Sequence, residues 1–140
     1  MEKEFVPYEL ALRMKQLGFD EPCFGFYLED GTWTPASYSR EGTVYPSNTD
    51  LLPEWCAAPL YQQAFRWFRE KYGLYGIPQE YTLDNFSYQI KSNGEGAITF
   101  KVYGGYPLNY TIYEEAELAC LDKLIEIVEQ TERIEHGVYQ

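Results

Sequence analysis

The stretch that decides the fold is Phe86-Ser-Tyr-Gln-Ile-Lys-Ser-Asn-Gly-Glu-Gly-Ala-Ile-Thr-Phe-Lys-Val-Tyr-Gly-Gly-Tyr-Pro-Leu-Asn-Tyr-Thr-Ile112. Phe86, Tyr88 and Ile90 alternate with Ser87, Gln89 and Lys91. After the turn pair Asn93-Gly94, Ile98, Phe100 and Val102 alternate with Thr99 and Lys101. A period of two sends successive side chains to opposite faces, so each run reads as a strand with one apolar and one polar face. Gly104-Gly105 reads as a second turn, after which Tyr106, Leu108, Tyr110 and Ile112 keep the period. Pro107 confines that third run to a sheet edge, because proline has no amide to give to a ladder. The expectation is a three-strand meander with a single buried face.

Helical periods bracket this meander. Upstream, Pro59 to Tyr72 places Leu60, Tyr61, Ala64, Phe65, Trp67, Phe68 and Tyr72 on one arc, with Gln62, Gln63, Arg66, Arg69 and Glu70 opposite and Gly73 as the stop. Lys71 intrudes on the apolar arc, where its stem can lie flat while the ammonium reaches water. Downstream, a helix is expected from Tyr113 to about Gln130 or beyond. Glu114, Glu115 and Glu117 sit at the positive end of its dipole, and Ala116, Cys120, Leu121, Leu124, Ile125, Ile127 and Val128 form its buried arc. Asp122, Glu126 and Glu129 fall on its outer face.

Nearer the start, Leu10, Met14 and Leu17 repeat at helical spacing between Pro7 and Leu17, and Gly18 supplies a left-handed stop followed by an apolar Phe19. Asp30-Gly31 between Cys23-Phe-Gly-Phe-Tyr-Leu28 and Thr32-Trp33-Thr34 predicts a hairpin. Residues 35–58, with Pro35, Gly42, Pro46 and Pro53, predict an irregular loop that Tyr38, Val44, Tyr45, Leu51, Leu52 and Trp55 pack down. Residues 135–140 predict a frayed tail. The expected fold class is α+β: an antiparallel sheet, made of the N-terminal hairpin and the meander, with three helices packed on one face. One globular domain over 1–140 is expected.

Composition narrows the functional classes. At 140 residues and 45% hydrophobic, the chain has enough apolar material for its own core. Its aromatic fraction of 18% implies either a core of large rings or a Tyr-rich recognition surface, and the periodic placement of the rings favours the core. A net charge of −11 disfavours binding to a nucleic-acid backbone, which needs cations to displace counterions, and suits a basic partner. Eight acids against Lys123 and Arg133 concentrate that charge between Glu114 and Glu135. Three widely spaced cysteines, Cys23, Cys56 and Cys120, cannot pair completely and suit a reducing compartment. No apolar leader follows Met1 and no run approaches 18 apolar residues, so neither secretion nor membrane insertion is expected.

No catalytic constellation emerges. The single histidine, His136, stands four residues from the end of the sequence and reads as a solvated tail residue. The cysteines lack zinc-ligand spacing, Cys120 reads as core, and no metal or cofactor is implied. Glu114-Glu115 and Glu29-Asp30 are explained by dipole compensation and turn chemistry. Two surface features stand out. Arg66 and Arg69 place cations on the polar face of the second helix, with an Arg66–Glu70 pair as the plainer explanation. The aromatic loop with Tyr38, Tyr45 and Trp55, near the Trp33 hairpin, is either pinned by its own rings or forms a concave site for a planar ligand or partner side chain.

Three blocks carry a resemblance. They are Phe5-Val-Pro-Tyr-Glu9 with Leu17-Gly-Phe-Asp-Glu-Pro-Cys-Phe-Gly25, Ala58 through Tyr72, and Tyr113 through Ile127. They resemble a group of small uncharacterised acidic proteins of bacteriophages, prophages and gut-type Bacteroidota genomes. The group carries no activity and no functional residues to transfer. The resemblance implies context: an accessory protein in the cytoplasm of an infected or lysogenic bacterium. The leading expectation is therefore a non-catalytic binding protein that occupies a host protein, with a defence component as one class of target, through Asp122, Glu126 and Glu129. The first alternative is a small-ligand or nucleotide-signal sponge using Trp33, Trp55, Arg66 and Arg69. The second is a carboxylate-dependent enzyme.

Overall fold

Pro7 opens the first helix and Gly18 closes it, each by backbone chemistry. In the computed structural model, α1 (Tyr8–Gln16) follows Pro7, whose fixed φ of −59° with extended ψ makes it the N-cap. At the other end Gly18 adopts φ 100°. Its N–H donates to the Lys15 carbonyl, and the Phe19 N–H reaches back to Met14 at 3.0 Å. That reciprocal pair satisfies carbonyls left without helical partners, and Phe19 and Met14 are both buried beside it.

The structure describes residues 2–82, 85–92, 103–104 and 110–135. The chain divides into two compact units, Met1–Ala64 and Phe65–Gln140.

In the first unit the expected hairpin forms. β1 (Gly25–Tyr27) pairs antiparallel with β2 (Trp33–Pro35), placing Tyr27 opposite Trp33 and Phe26 opposite Thr34. The turn is closed by the Leu28 N–H on the Thr32 carbonyl, and the Thr32 N–H donates to the Asp30 carboxylate at 2.9 Å. The stretch 35–58 holds more regular structure than expected. β3 (Ser37–Ser39) and β4 (Gly42–Val44) form a two-stranded ribbon, and a 3-10 turn spans Asn48–Asp50. β5 (Cys56–Ala58) then pairs with the free side of β1, giving the order β2-β1-β5, and α1 packs against β5.

Of the apolar residues expected to pack this stretch down, Trp55 stacks on Phe26, but Val44, Tyr45 and Leu52 are exposed, and polar side chains take over much of the task. The Lys15 ammonium donates to the carbonyls of Pro53 at 2.6 Å and Trp55 at 2.7 Å. Asn48 donates to the Phe19 carbonyl and accepts from the Ala57 N–H. Asp20 accepts from both the N–H and the hydroxyl of Thr49. Short strands with few ladder bonds leave many main-chain groups unpaired, and these side chains satisfy them.

α2 (Tyr61–Tyr72) begins in the first unit and runs on into the second, ending at Gly73, whose φ is 67°. Tyr61, Ala64, Phe65, Trp67 and Phe68 are buried, while Gln62, Arg66, Arg69 and Glu70 are exposed, as the wheel requires. Lys71 is exposed with its Nζ 5.0 Å from the Trp67 ring centre, a cation over an aromatic face.

The second unit contains a strand absent from the sequence reading. β6 (Leu74–Thr82) pairs antiparallel with β7 (Asn85–Ser92) from Leu74↔Ser92 to Thr82↔Asn85, with an irregularity between Glu80 and Thr82. Gly76 and Pro78 disguise it as a loop. Pro78 is tolerated because β6 lies at the edge of its sheet. Gly76 is needed for space: a Cβ there would lie 2.8 Å from Leu124 Cδ1, 2.9 Å from Phe65 Cε1 and 3.0 Å from Cys120 Sγ. On β7, Tyr88 and Ile90 are buried and Lys91 exposed, as the alternation predicts, although Ser87 is also buried.

The expected turn at Gly104-Gly105 is corrected on its described half. β8 (Tyr103–Gly104) pairs with Ile90 and Gln89, and Tyr110 exchanges two 2.8 Å bonds with Phe86 along the same flank of β7. Gly104 thus lies in a strand. The Asn93-Gly94 turn, the 98–102 strand, Pro107, Leu108 and His136 lie outside the described residues, as does the tail at 136–140.

α3 (Tyr113–Glu135) runs five residues beyond Gln130 and packs on β6 and β7. Ala116, Cys120, Leu121, Leu124, Ile125, Ile127 and Val128 are buried, which is the expected arc. The α+β class and the antiparallel pairing hold. The hairpin and the β7 strands, expected in one sheet, belong to separate sheets, with α1 against one and α3 against the other. No helix among the described residues is long and apolar enough to cross a membrane.

Candidate functional site

Side-chain alternation separates the two tryptophans of the aromatic loop. Tyr27 and Trp33 are directly opposed on β1 and β2, so they share one face of the sheet, and Phe26 points to the other. Trp33 lies across Gly25 so closely that a Cβ there would sit 2.7 Å from its indole, and its ring meets Phe5 at 5.0 Å. Trp55 stacks on Phe26 at 5.3 Å and 24°. The indoles therefore serve opposite faces, each against a phenylalanine, and make no common aromatic slot. The Trp33 Nε1 is buried with no hydrogen-bond partner among the described residues. The Tyr38 side chain lies outside the described part.

Arg66 and Arg69 belong to the second unit and lie on the exposed arc of α2. Arg66 approaches Glu70 at 4.0 Å, the i,i+4 pair that the sequence offers as the plainer explanation.

On α3, Asp122 is exposed, whereas Glu126 and Glu129 are partly covered. Glu126 accepts from Lys123 at 3.5 Å and from Gln130 at 3.3 Å. The spacings of four and three residues still align all three carboxylates in one outward row, joined by the exposed Glu115 one turn pair earlier. Leu118, exposed between Glu115 and Asp122, is an apolar contact point in that row.

The thiols are placed for packing. All three cysteines are free and buried. Burial pushes Cys23 up to about 12, Cys56 to about 11 and Cys120 to about 12, so each is a neutral thiol at physiological pH. Among the described residues no group of three His, Cys, Asp or Glu side chains is arranged to hold a metal ion.

One surface feature is half visible in the sequence, which offers Tyr45 among the loop aromatics but not its contact with Phe24. Phe24 and Tyr45 are 54% and 46% exposed and meet edge to face, with ring centres 5.3 Å apart at 87°. Val44, next to Tyr45, is 54% exposed. Period-two alternation assigns Phe24 to the same buried face as Phe26. Phe24 escapes that rule because it precedes Gly25, the first residue in the ladder. The signal that could have found it is the pair of loop residues Val44-Tyr45 beside Pro46, a residue bonded through its carbonyl to the Cys23 N–H.

Comparison with known proteins gave no matching family model, no similar curated protein and no similar solved structure.

Proposed function

We propose that this chain is a non-catalytic binding protein of phage type that acts by occupying a host protein, with a defence component as the class of target. The observation that carries the reading is the outward row on α3. Its buried arc is wholly committed to the core, while Glu115, Asp122, Glu126 and Glu129, with Leu118 among them, line the opposite side. A row of carboxylates around an apolar point is complementary to a basic patch and steers its approach. The resemblance of three sequence blocks to phage and prophage proteins supports the cellular context. The sponge alternative gains nothing from the indoles, which serve opposite faces of their sheet.

The test has two steps. A pull-down from host lysate with mass spectrometry identifies the partner, and association is then measured with purified components. Reversing Asp122, Glu126 and Glu129 to lysine should slow association by tenfold or more at low salt. The difference should shrink as salt rises, because exposed charges are screened within about 8 Å at physiological ionic strength. Equal association rates for wild type and variant across that salt range would remove the α3 row from the reading.

A further inference from the structure

We draw no further inference here: the strongest candidate, the exposed Tyr75 and Ile77 strip along the edge strand β6, carries nothing, because Leu74 at its start is fully buried, Pro78 has no amide to give to an added strand, and nothing in the structure shows what covers the strip.

Discussion

Gly76→Ala is the smallest change that tests how the second unit is packed. The residue sits in β6 opposite Ile90, and its φ is outside the left-handed region, so alanine meets no backbone strain. Removing a glycine from a strand interior gains about 0.5–1 kcal/mol through the unfolded chain. Against that gain stand three atoms within 3.0 Å of the new methyl: Leu124 Cδ1, Phe65 Cε1 and Cys120 Sγ. All three are side-chain ends, yet all belong to buried residues, and Leu124 and Cys120 have no exposed surface into which to turn. Overpacking of this kind costs about 1–3 kcal/mol, so the net loss should lie between about 0 and 2.5 kcal/mol. The assay is urea unfolding followed by far-UV dichroism. A companion variant makes the mechanism specific. Leu124→Ala alone should cost about 2–5 kcal/mol for a fully buried leucine. Combined with Gly76→Ala it should cost at least about 0.5 kcal/mol less than the sum, because it removes the tightest contact. A Gly76→Ala protein more stable than the wild type, or strictly additive losses in the double variant, would refute this account of why β6 carries a glycine.

Lys15→Met should lose about 1–2 kcal/mol, since two carbonyls of the 53–55 segment lose a charged donor, and limited proteolysis should cut between residues 51 and 55 faster than in the wild type. An unchanged cleavage pattern would show that the ammonium does not hold the segment. With burial holding all three thiols neutral, the native protein should react with an aromatic disulfide reagent at pH 8 over hours, and all three should react within seconds in guanidinium. Rapid labelling of any thiol in the native state would contradict the placement. Asp20 and Asp30 both have folded pKa values below the ordinary 3.8, lowered chiefly by hydrogen bonds from Thr49 and Thr32. Their contribution to stability is complete above the unfolded value of about 4 and disappears as pH falls through the lower folded values. The urea midpoint should therefore fall below about pH 4, and Asp20→Asn should flatten that fall; an equal slope in both proteins would exclude Asp20 as a contributor.

The parts of the fold legible in the sequence are those settled by neighbours a few residues away. Gly18 stops α1 because a left-handed residue is required where the Phe19 N–H turns back to Met14. Asp30-Gly31 makes its turn through an Asp side chain bonded two residues on. The wheels of α2 and α3 sort their residues because the helical period is indifferent to what lies opposite. β6 was hidden for the converse reason. Gly76 is there on account of Leu124 and Cys120, nearly fifty residues further on, and Pro78 on account of an edge that exists only once the sheet is assembled. A local reading converts both into breakers.

The same division runs through the candidate surfaces. The α3 row was visible beforehand because spacing alone aligns Asp122, Glu126 and Glu129, and the structure changes only their degree of cover. Phe24 and Tyr45 stand 21 positions apart, and their contact depends on the Cys23–Pro46 bond that brings two loops together. Alternation even argues against it, since it counts Phe24 as a partner of the buried Phe26. The failure has physical content: a ring that a strand's period would bury is left half in water at the very end of its strand, although its carbonyl still accepts from the Ala36 N–H. Both rings are about half covered, so each keeps part of the free energy of burial, and partial exposure of a ring at a strand end is an ordinary surface feature.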